Sequence, residues 1–314
     1  MKKFFYVALC VLCLGAFQAC GGDSDEVVNP SPKPNPETPE VPERPDPEKP
    51  EDPDLPIIPT PKPEDVVEIK DPAFRAYLIE HYDRNNDSQL TYAEADLIVN
   101  LSLNGYKEES LTLIRSFEGI SNLRNLTKLE IDFSISKVDL QDCCSLVELV
   151  CRSSHIEELA LDNCIALEKL DCGGNQLPSL DLSGCSQLMS LSCYNNQLRS
   201  LDLSGCSQLT SLSCYNNQLR SLDLSGCSQL TELYCAENQL TRLNLSDCSQ
   251  LKVLECEYNQ LTSLYINKNT KIFRLNIRMN NMLETLYVWE GFSWENLYVN
   301  KDDNTIFVEI IAFP

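Results

Sequence analysis

The sequence has few histidines, few basic residues and no long apolar segment, and each shortage excludes a class of function. His81 and His155 are its two histidines, which leaves little for histidine-based acid-base chemistry or for zinc sites of the usual ligand types. Its 25 Lys and Arg stand against 47 Asp and Glu, and the net charge of -22 would repel nucleic acid and anionic membrane surfaces. The GxSxG, HExxH and phosphate-loop patterns of common enzymes are missing. The sequence therefore favours a binding protein over an enzyme.

A short apolar run lies at the start of the chain, directly after Lys2 and Lys3. This run, from Phe4 to Phe17, is too short to cross a bilayer and has the composition of an export signal. Ordinary signal peptidase should cut poorly before Cys20, because Phe17 is bulky where a small residue is preferred. We predict a signal peptide at residues 1–19 that is processed by another route.

Cys20, preceded by Ala19 and followed by two glycines, indicates that route. The segment resembles the lipobox of bacterial lipoproteins, in which the cysteine is acylated and becomes the mature N-terminus. The resemblance implies lipidation of Cys20, with a secreted chain without lipid as the alternative. The acidic cluster from Asp23 to Glu26 resembles an export tag of Gram-negative surface lipoproteins. The implied location is the outer membrane, surface-exposed and in contact with lipid only through this anchor.

Proline is concentrated in one region, since 14 of the 17 prolines lie between Pro30 and Pro63 with charged residues between them. Such a segment lacks backbone donors for helix or sheet and favours extended polyproline II. At about 3.1 Å per residue, it would span about 105 Å. We predict that residues 20–63 form an acidic, proline-rich stalk that acts as a spacer; a docking segment for an aromatic groove is the alternative.

A short helix is predicted after the stalk, because Asp71 and Pro72 have the pattern of an N-cap followed by proline at the first helical position. Phe74, Tyr77 and Leu78 then recur at helical spacing, which indicates one apolar face. We predict that residues 64–100 form a helical cap at the front of the region that follows.

An acidic loop within this cap resembles the calcium-binding loop of the EF-hand at every ligand position. Those positions are filled, in order, by Asp83, Asn85, Asp87, Gln89, Thr91 and Glu94. A hard cation of this size needs six or seven oxygens, which such a loop supplies from alternate side chains, one backbone carbonyl and a closing glutamate. Ser88 stands where glycine is usual, at a cost of about 1–2 kcal/mol for a left-handed conformation. We predict a structural calcium ion of weak affinity, with a metal-free acidic turn as the alternative.

Self-similarity dominates the rest of the chain. Units of 21 residues begin at Leu167, Leu188, Leu209, Leu230, Leu251 and Ile272. A unit this short has room for one short strand, a turn and a return segment, so its leucines can be buried only by stacking on neighbouring units. An earlier unit at Leu146 keeps the period, and the unit before it, at Leu126, is one residue shorter. The period predicts a parallel solenoid.

The repeat resembles the leucine-rich repeat family, whose signature LxxLxLxxNxL is matched by Leu188, Leu191, Cys193, Asn196 and Leu198. Cysteine replaces the third leucine. The second half of each unit repeats nearly the same spacing, as in the nested bacterial class of these repeats, and internalin-like surface proteins carry related arrays. The resemblance implies a leucine-rich repeat solenoid over residues 101–290. It would be mainly β, with short parallel strands and irregular or short-strand return segments.

The open ends of a solenoid expose leucines and therefore need caps. The helical segment at residues 64–100 can cover the front. Behind the repeats, residues 294–300 and 305–311 have the composition of two strands joined by a polar turn. We predict that residues 291–314 form a β-hairpin cap.

Cysteine and asparagine recur with the same period as leucine. One cysteine series runs from Cys143 to Cys248 and another from Cys151 to Cys256. We predict buried free thiols in both, with disulfides or a soft-metal ladder as the alternatives. Asparagines at positions 175, 196, 217, 238, 259 and 280 fall where the chain must leave the strand. Their amides are predicted to hydrogen-bond to turn backbone, which makes them structural.

Outward positions beside the strands vary from unit to unit while the interior stays constant. Tyrosines beside acidic groups suit contact with a protein or a glycan, because a ring offers area at little entropic cost. The residues predicted to form this surface are Tyr194, Tyr215, Tyr234, Glu255, Glu257 and Tyr258. We predict a non-enzymatic cell-surface protein that binds a host or microbial protein, with a glycan-capture accessory lipoprotein as the alternative. A merely solvated face is the further alternative.

Overall fold

A computed structural model of the protein describes residues 60–105, 107–293, 298–300 and 309–313. The predicted signal peptide at 1–19, the predicted lipidation site Cys20 and residues 21–59 of the predicted stalk lie outside the described residues. Within the described part, no helix combines the length and the apolar character needed to span a bilayer.

Ten of the described strands form one parallel sheet, which we call the front sheet. In spatial order these strands are β1 (Asn100–Asn104), β2 (Lys128–Asp132), β4 (Glu148–Val150), β6 (Lys169–Asp171), β7 (Ser190–Ser192), β8 (Ser211–Ser213), β9 (Glu232–Tyr234), β10 (Val253–Glu255), β12 (Arg274–Asn276) and β14 (Tyr298–Asn300). Each unit of the sequence contributes one strand, and the chain then returns to begin the next strand beside it. The predicted parallel solenoid is therefore confirmed.

The register of the front sheet follows the sequence period. Leu170 pairs with Leu191, and Leu191 pairs with Leu212, each 21 residues further along. In β7 and β8 the central leucine is buried and its two neighbours are half-buried, because alternate side chains point to opposite sides of a strand. Leu129 pairs with Leu149, which confirms that the earlier unit is one residue short.

The return segments carry two smaller parallel sheets in the described part of the chain. One contains β3 (Lys137–Asp139) and β5 (Glu158–Ala160). The other, which we call the back sheet, contains β11 (Ser263–Tyr265), β13 (Thr285–Trp289) and β15 (Glu309–Phe313). The return segments between these two sheets are irregular, as the resemblance implied.

The prediction of a β-hairpin at residues 291–314 is wrong. Strand β14 pairs in parallel with β12 in the front sheet, whereas β15 pairs in parallel with β13 in the back sheet. The two final strands therefore extend the solenoid by a further turn instead of pairing with each other. The strand composition was interpreted correctly, but composition does not specify the partner of a strand.

Leucine and cysteine columns fill the interior between the sheets. Leu198, Cys193 and Cys214 are fully buried, and every cysteine from Cys143 to Cys256 is a free thiol. Burial raises the pKa of Cys214 to about 12, so these thiols are neutral at physiological pH and pack as small apolar groups. Cys144, which belongs to neither series, is exposed.

The asparagine column joins each turn of the solenoid to the next. Asn217 accepts a hydrogen bond from the backbone N–H of Leu198 through Oδ1 at 3.0 Å. Its Nδ2 donates to the carbonyl oxygens of Cys193 and Cys214 at 3.0 and 3.1 Å. The same pattern recurs at Asn196, Asn238, Asn259 and Asn280. The predicted structural role is confirmed, since each amide satisfies buried backbone groups of two neighbouring units.

Two α-helices lie in front of the repeats in the described part, α1 (Pro72–Tyr82) and α2 (Tyr92–Ala95), and two 3-10 turns follow at Glu109–Leu113 and Ile120–Asn122. Asp71 caps α1 as predicted, because its Oδ1 accepts from the backbone N–H groups of Ala73 and Phe74, each at 2.9 Å. Its Oδ2 accepts from the backbone of Arg115 and Ser116, which ties the helix to the first turns.

Candidate functional site

The candidate interaction surface is the outer side of the front sheet, together with the two residues that follow each strand. We call it the strand face. One column on it contains Ser192, Ser213, Tyr234, Glu255 and Asn276, and a second contains Gly173, Tyr194, Tyr215, Ala236, Glu257 and Arg278. Members of one column are 21 residues apart. Those of the first column lie on neighbouring strands, and those of the second follow the strands by two residues. The face therefore offers a different set of groups on each turn over an identical backbone.

Tyr194 and Tyr215 stack on each other in the second column. Their ring centroids are 4.8 Å apart and the ring planes differ by 5°. Gly173 makes room for this pair, because a Cβ placed on it would lie 2.4 Å from Cε1 of Tyr194. The two tyrosines predicted from the sequence thus form one stacked aromatic pair, and the ring of Tyr194 packs against the backbone of Gly173.

The same column continues with a small residue and then an acid. Ala236 is buried, with 7% of its surface exposed, and Glu257, two residues after β10, is half-buried. Among the residues that the structure describes, Oε2 of Glu257 is the one buried side-chain oxygen or nitrogen that has no hydrogen-bond partner. Burial raises the pKa of Glu257, and the nearby Glu255 and Glu237 add to the increase. The backbone N–H of Glu257 hydrogen-bonds the carboxyl and partly offsets the raised pKa, so the missing donor concerns Oε2 alone.

Other charges on the strand face are paired within it. Arg152 pairs with Asp171, Arg274 pairs with Glu255, and Nζ of Lys128 lies 3.3 Å from Oε2 of Glu148. Tyr234 lies near Glu232 and Glu255, and burial is the main cause of its raised pKa. These ion pairs neutralise much of the face locally.

The predicted binding residues are only partly brought together. Tyr194, Tyr215 and Glu257 share one column, and Tyr234 and Glu255 lie in the column beside it. Tyr258 lies instead in the turn that follows the strand, with 50% of its surface exposed and a left-handed φ of 54°. Met279 takes the equivalent position on the next turn and is also exposed. Tyr258 thus belongs to the edge of the surface.

Sequence reasoning missed a second aromatic pair, on the back sheet. The ring centroids of Tyr265 and Tyr287 are 4.0 Å apart and the ring planes differ by 4°. The two residues are separated by 22 positions, because β11 and β13 pair with an offset one residue longer than the repeat. A search of the sequence that allowed such an insertion would have placed them in one column.

An aspartate column on the return segments has a local explanation. Asp181, Asp202 and Asp223 each accept a hydrogen bond at 2.9 Å from the backbone N–H of the serine two residues later. These hydrogen bonds lower the pKa of all three carboxyl groups. The aspartates shape the turns and do not require a bound cation.

The predicted calcium loop connects α1 to α2. Ser88 adopts a φ of 66°, the left-handed conformation that its position was expected to require. Asp83, Asn85 and Asp87 each accept backbone N–H groups of the loop through side-chain oxygens, at 2.8–2.9 Å. A backbone bridge holds the loop to the preceding segment, with N–H of Val67 donating to the carbonyl of Leu90 at 2.7 Å. The loop is therefore ordered by its own contacts.

Glu94, the predicted closing ligand, accepts hydrogen bonds from other residues of the loop. Its Oε1 accepts from the backbone N–H of Arg84 at 2.9 Å, and its Oε2 accepts from the backbone and hydroxyl of Thr91 at 3.0 and 2.7 Å. These hydrogen bonds lower its pKa, the backbone N–H of Thr91 contributing most. Throughout the described residues, no three Asp, Glu, His or Cys side chains gather at a point that could hold a metal. The donor types suit calcium, but the ion would have to compete for Glu94.

Neither a protein-family model nor a curated protein matches the chain. Among solved structures, the chain is similar to the functional domain of InlJ from Listeria monocytogenes, which is described as including a cysteine ladder. The TM-score is 0.51 and the identity 20%, and the match covers 81% of this chain and 62% of that chain, which is less than two thirds of its length. Internalin C2 of the same organism matches with a TM-score of 0.50 and 22% identity, over 77% of this chain and 97% of that chain. The predicted leucine-rich repeat solenoid is confirmed by these similarities, which at such identity concern the fold alone.

Proposed function

We propose that this chain is a lipid-anchored bacterial surface protein that binds a protein partner through its strand face, without catalysing a reaction. The observation that carries this proposal is the contrast within each turn. Interior residues repeat almost unchanged, whereas the face combines a stacked tyrosine pair, a small alanine and a glutamate with one unpartnered oxygen. Solenoids use such faces as extended binding surfaces.

The charge arrangement favours a protein over a glycan. Stacking leaves each of Tyr194 and Tyr215 only one ring face for a ligand, and the face of Tyr194 lies close to Gly173. Two separate ring faces for sugar units are therefore not offered. Arg152 and Arg274, beside the tyrosine rings, offer instead the combination of arginine and aromatic side chains that is enriched in protein interfaces. Glycan capture remains the alternative that the experiment below would reveal.

The predicted anchor and stalk are consistent with a role outside the cell. Lipidation at Cys20 would fix the chain to the outer membrane, and the proline-rich segment would hold the solenoid about 105 Å from the lipid at its fullest extension. A binding domain on such a spacer can reach past neighbouring surface molecules. Metabolic labelling with a lipid precursor would test the anchor, since Cys20→Ser should abolish the label.

Calcium binding is proposed as a support for the front cap. Asp83, Asn85, Asp87, Thr91 and Glu94 would supply side-chain oxygens and Gln89 a backbone carbonyl, and the ion would add a cross-link between α1 and α2. A dissociation constant of about 10⁻⁴ to 10⁻³ M is expected for a single extracellular hand. The engagement of Glu94 with Thr91 and Arg84 is consistent with this weak range.

Thermal unfolding with and without millimolar calcium tests the loop. The unfolding temperature should rise with calcium, and Asp87→Asn should remove the rise because it removes a charge but keeps the oxygen that accepts from Gln89. Asp202→Asn is the matched control, since it makes the same change in a turn that is not proposed to bind metal. An equal calcium response in both variants would contradict the site.

The binding proposal is tested by cell capture with two matched tyrosine variants. Tyr194→Ala with Tyr215→Ala removes the stack on the strand face, and Tyr265→Ala with Tyr287→Ala removes the equivalent stack on the back sheet. Bacteria that display the chain should lose adhesion to target cells with the first pair only. Loss with the second pair only would overturn the proposal.

The same adhesion assay can distinguish a protein partner from a glycan. Protease treatment of the target cells should abolish adhesion, and raised salt should weaken it, because charges at the acidic face are screened. Adhesion that survives protease and salt but fails after glycosidase treatment would favour glycan capture instead.

A further inference from the structure

The last described turn of the solenoid has an interior position that is open to solvent. Strand β15 pairs in parallel with β13, and this register places Ala312 beside Val288. Val288 is an interior residue of the back sheet, with 1% of its surface exposed. Ala312 therefore occupies an interior position on its own strand, yet it is exposed. The apolar interior thus reaches solvent at this end of the solenoid, which we call the rear end.

The front end of the solenoid is closed. Leu101 and Leu103, the interior residues of β1, have 1% and 0% of their surface exposed. Phe74 of α1 is fully buried and packs edge-on against Phe117, with the ring centroids 5.1 Å apart. The helical cap therefore covers the first turns. The two ends of the solenoid differ in what they offer to another molecule.

The rear end also presents strand edges. Among the described strands, β14 and β15 stand last in the front sheet and the back sheet, each with one neighbour. In a parallel sheet, residues paired in register direct their N–H and C=O groups toward the same side. The carbonyl of Tyr287 accepts from the N–H of Ile266 on the β11 side, so Ile311, its partner in register, faces β13. Ile310 and Ala312 therefore direct their backbone groups away from the solenoid.

Exposed apolar side chains are frequent in the turns next to the rear end. Those between residues 258 and 282 are Tyr258, Tyr265, Phe273, Met279 and Met282. The much longer stretch from 130 to 257, in which every residue is described, exposes two large apolar side chains, Ile165 and Met189. Exposed apolar surface beside a strand edge is typical of an interaction site.

We propose that the rear end is an interface between two copies of this chain, in which β15 of one copy pairs in antiparallel with β15 of the other. A strand edge is a template for another strand, and every copy presents the same edge. Because the front end is closed, a head-to-tail arrangement would place the rear end against the helical cap. A two-fold arrangement joins both rear ends and stops at the dimer. The inference goes beyond the proposed function and does not depend on the strand face.

The sequence of β15 allows this pairing without like charges in opposition. When the two-fold axis passes Ile311, Ile310 of one copy opposes Ala312 of the other. Both residues direct backbone groups to the shared edge, so each such pair exchanges hydrogen bonds in both directions. Glu309 then opposes Phe313 and not the second Glu309. The dimer would remove the exposed Ala312 from water.

Sedimentation velocity on the full chain tests the interface. Each protein carries Cys20→Ser, so that no lipid contributes to association, and Cys144→Ser, so that the exposed thiol cannot form a disulfide. The sedimentation coefficient should rise with concentration and level off at the value of a dimer. Raised salt should strengthen the association, because two chains of net charge -22 repel each other. A monomer at every concentration up to about 1 mM, or growth past the dimer, would overturn the proposal.

Two substitutions of Ala312 locate the interface. Ala312→Lys should leave the fold intact, because the position is exposed in the single chain, but should weaken association at least about tenfold by burying a charge in the dimer. Ala312→Pro should also weaken association, because it removes an N–H that faces the open edge and not β13. Ala76→Lys makes the first change at an exposed position of α1 and should leave association unchanged. Unchanged association in both Ala312 variants, or an equal loss in Ala76→Lys, would overturn the proposal.

Cysteine cross-linking tests the orientation of the two copies. In the same background, Ile311→Cys would place two thiols opposite each other at the axis, in a pair whose Cα atoms are about 4.5 Å apart, inside the disulfide range. Oxidised glutathione should convert the two thiols to an intermolecular disulfide, with release of two molecules of reduced glutathione. Ala76→Cys, at the front end, should stay monomeric. No cross-link through Ile311→Cys, or an equal cross-link through Ala76→Cys, would overturn the proposal.

Discussion

The interior of the solenoid and its strand face share the period of 21 residues, but the interior positions keep the same residue from unit to unit whereas the positions on the strand face vary. Inside, Asn217 contacts the backbone of the unit before its own, and Asn196 and Asn238 contact the preceding units in the same way. Outside, the equivalent positions are glycine, tyrosine, tyrosine, alanine, glutamate and arginine. An interior side chain is surrounded by the equivalent side chains of neighbouring units, so a change in its size or polarity disturbs their packing. A surface side chain contacts its neighbours only along the column, and its outer side is open to solvent. Changes from turn to turn therefore concentrate where a ligand can meet them.

The largest expected effect is on the interior asparagines. Asn217→Ala removes the partners of one buried N–H and two buried carbonyls, and should lower the free energy of unfolding by about 3 kcal/mol. Asn281→Ala, at an exposed position, should cost less than about 0.5 kcal/mol. Urea denaturation of both variants makes the comparison. Similar losses would mean that the ladder contributes nothing beyond an ordinary surface asparagine.

A second effect is the pH dependence of stability that the buried thiols impose. Burial raises the pKa of Cys172, Cys185 and Cys214 to about 12, above that of a thiol in the unfolded chain. A raised pKa in the folded state gives stability that is complete below the unfolded pKa of about 8.5 and is lost as the pH rises toward 12. The unfolding temperature should therefore fall steeply between pH 8 and pH 11.

The double variant Cys193→Ala and Cys214→Ala provides the control for this pH profile. It removes two of the buried thiols, so the fall of its unfolding temperature above about pH 8.5 should be shallower than in the unchanged chain. An identical slope would show that groups other than the thiols cause the fall.

A third effect separates interior from surface by chemical reactivity. Because the thiolate is the reactive form, the buried thiols should resist iodoacetamide in the folded protein, whereas exposed Cys144 should be modified. Peptide mass spectrometry, before and after unfolding in guanidinium, reports each site separately. Modification of Cys193 or Cys214 at the rate of Cys144 would show that the solenoid opens far more readily than its packing implies.

The smallest expected effect belongs to the strand face. Burial raises the pKa of Glu257, which means that the folded state favours the protonated carboxyl over the charged carboxylate. The folded state is therefore less stable once the pH has risen through the titration of Glu257. Glu257→Gln should therefore gain a little stability relative to the unchanged chain between pH 4 and pH 7, by less than about 0.5 kcal/mol. Thermal unfolding of both proteins at the two pH values measures the difference. A clear loss of stability in the variant at pH 7 would mean that the carboxylate has a partner.

The regular part of the fold could be predicted because each unit contains the same local pattern. Leu191, Cys193 and Asn196 recur at one spacing, and only stacking of neighbouring units buries them all. The capping of α1 by Asp71 was equally local, since it depends on residues two and three positions away. The pairing of β14 and β15 was not predictable in this way. Both segments resemble strands, but the choice between each other and two different sheets depends on contacts far apart in the sequence.

The candidate site shows the same division. Column membership of Tyr194, Tyr215 and Glu257 follows from counting by 21 residues. The stack of the two rings, the seat at Gly173 and the missing donor at Glu257 do not, because they depend on side-chain depth and direction. Glu94 is a similar case: its place in the acidic loop was evident from the sequence, but its hydrogen bonds to Thr91 and Arg84 were not.

The sequence by itself determined the period, the parallel stacking and the identity of the buried columns, because a unit of 21 residues has no other way to remove its leucines from water. The tertiary structure alone decided which side chains meet across neighbouring turns, how deeply each one lies and which polar atom is left without a partner. These properties depend on distances between residues that the sequence places far apart.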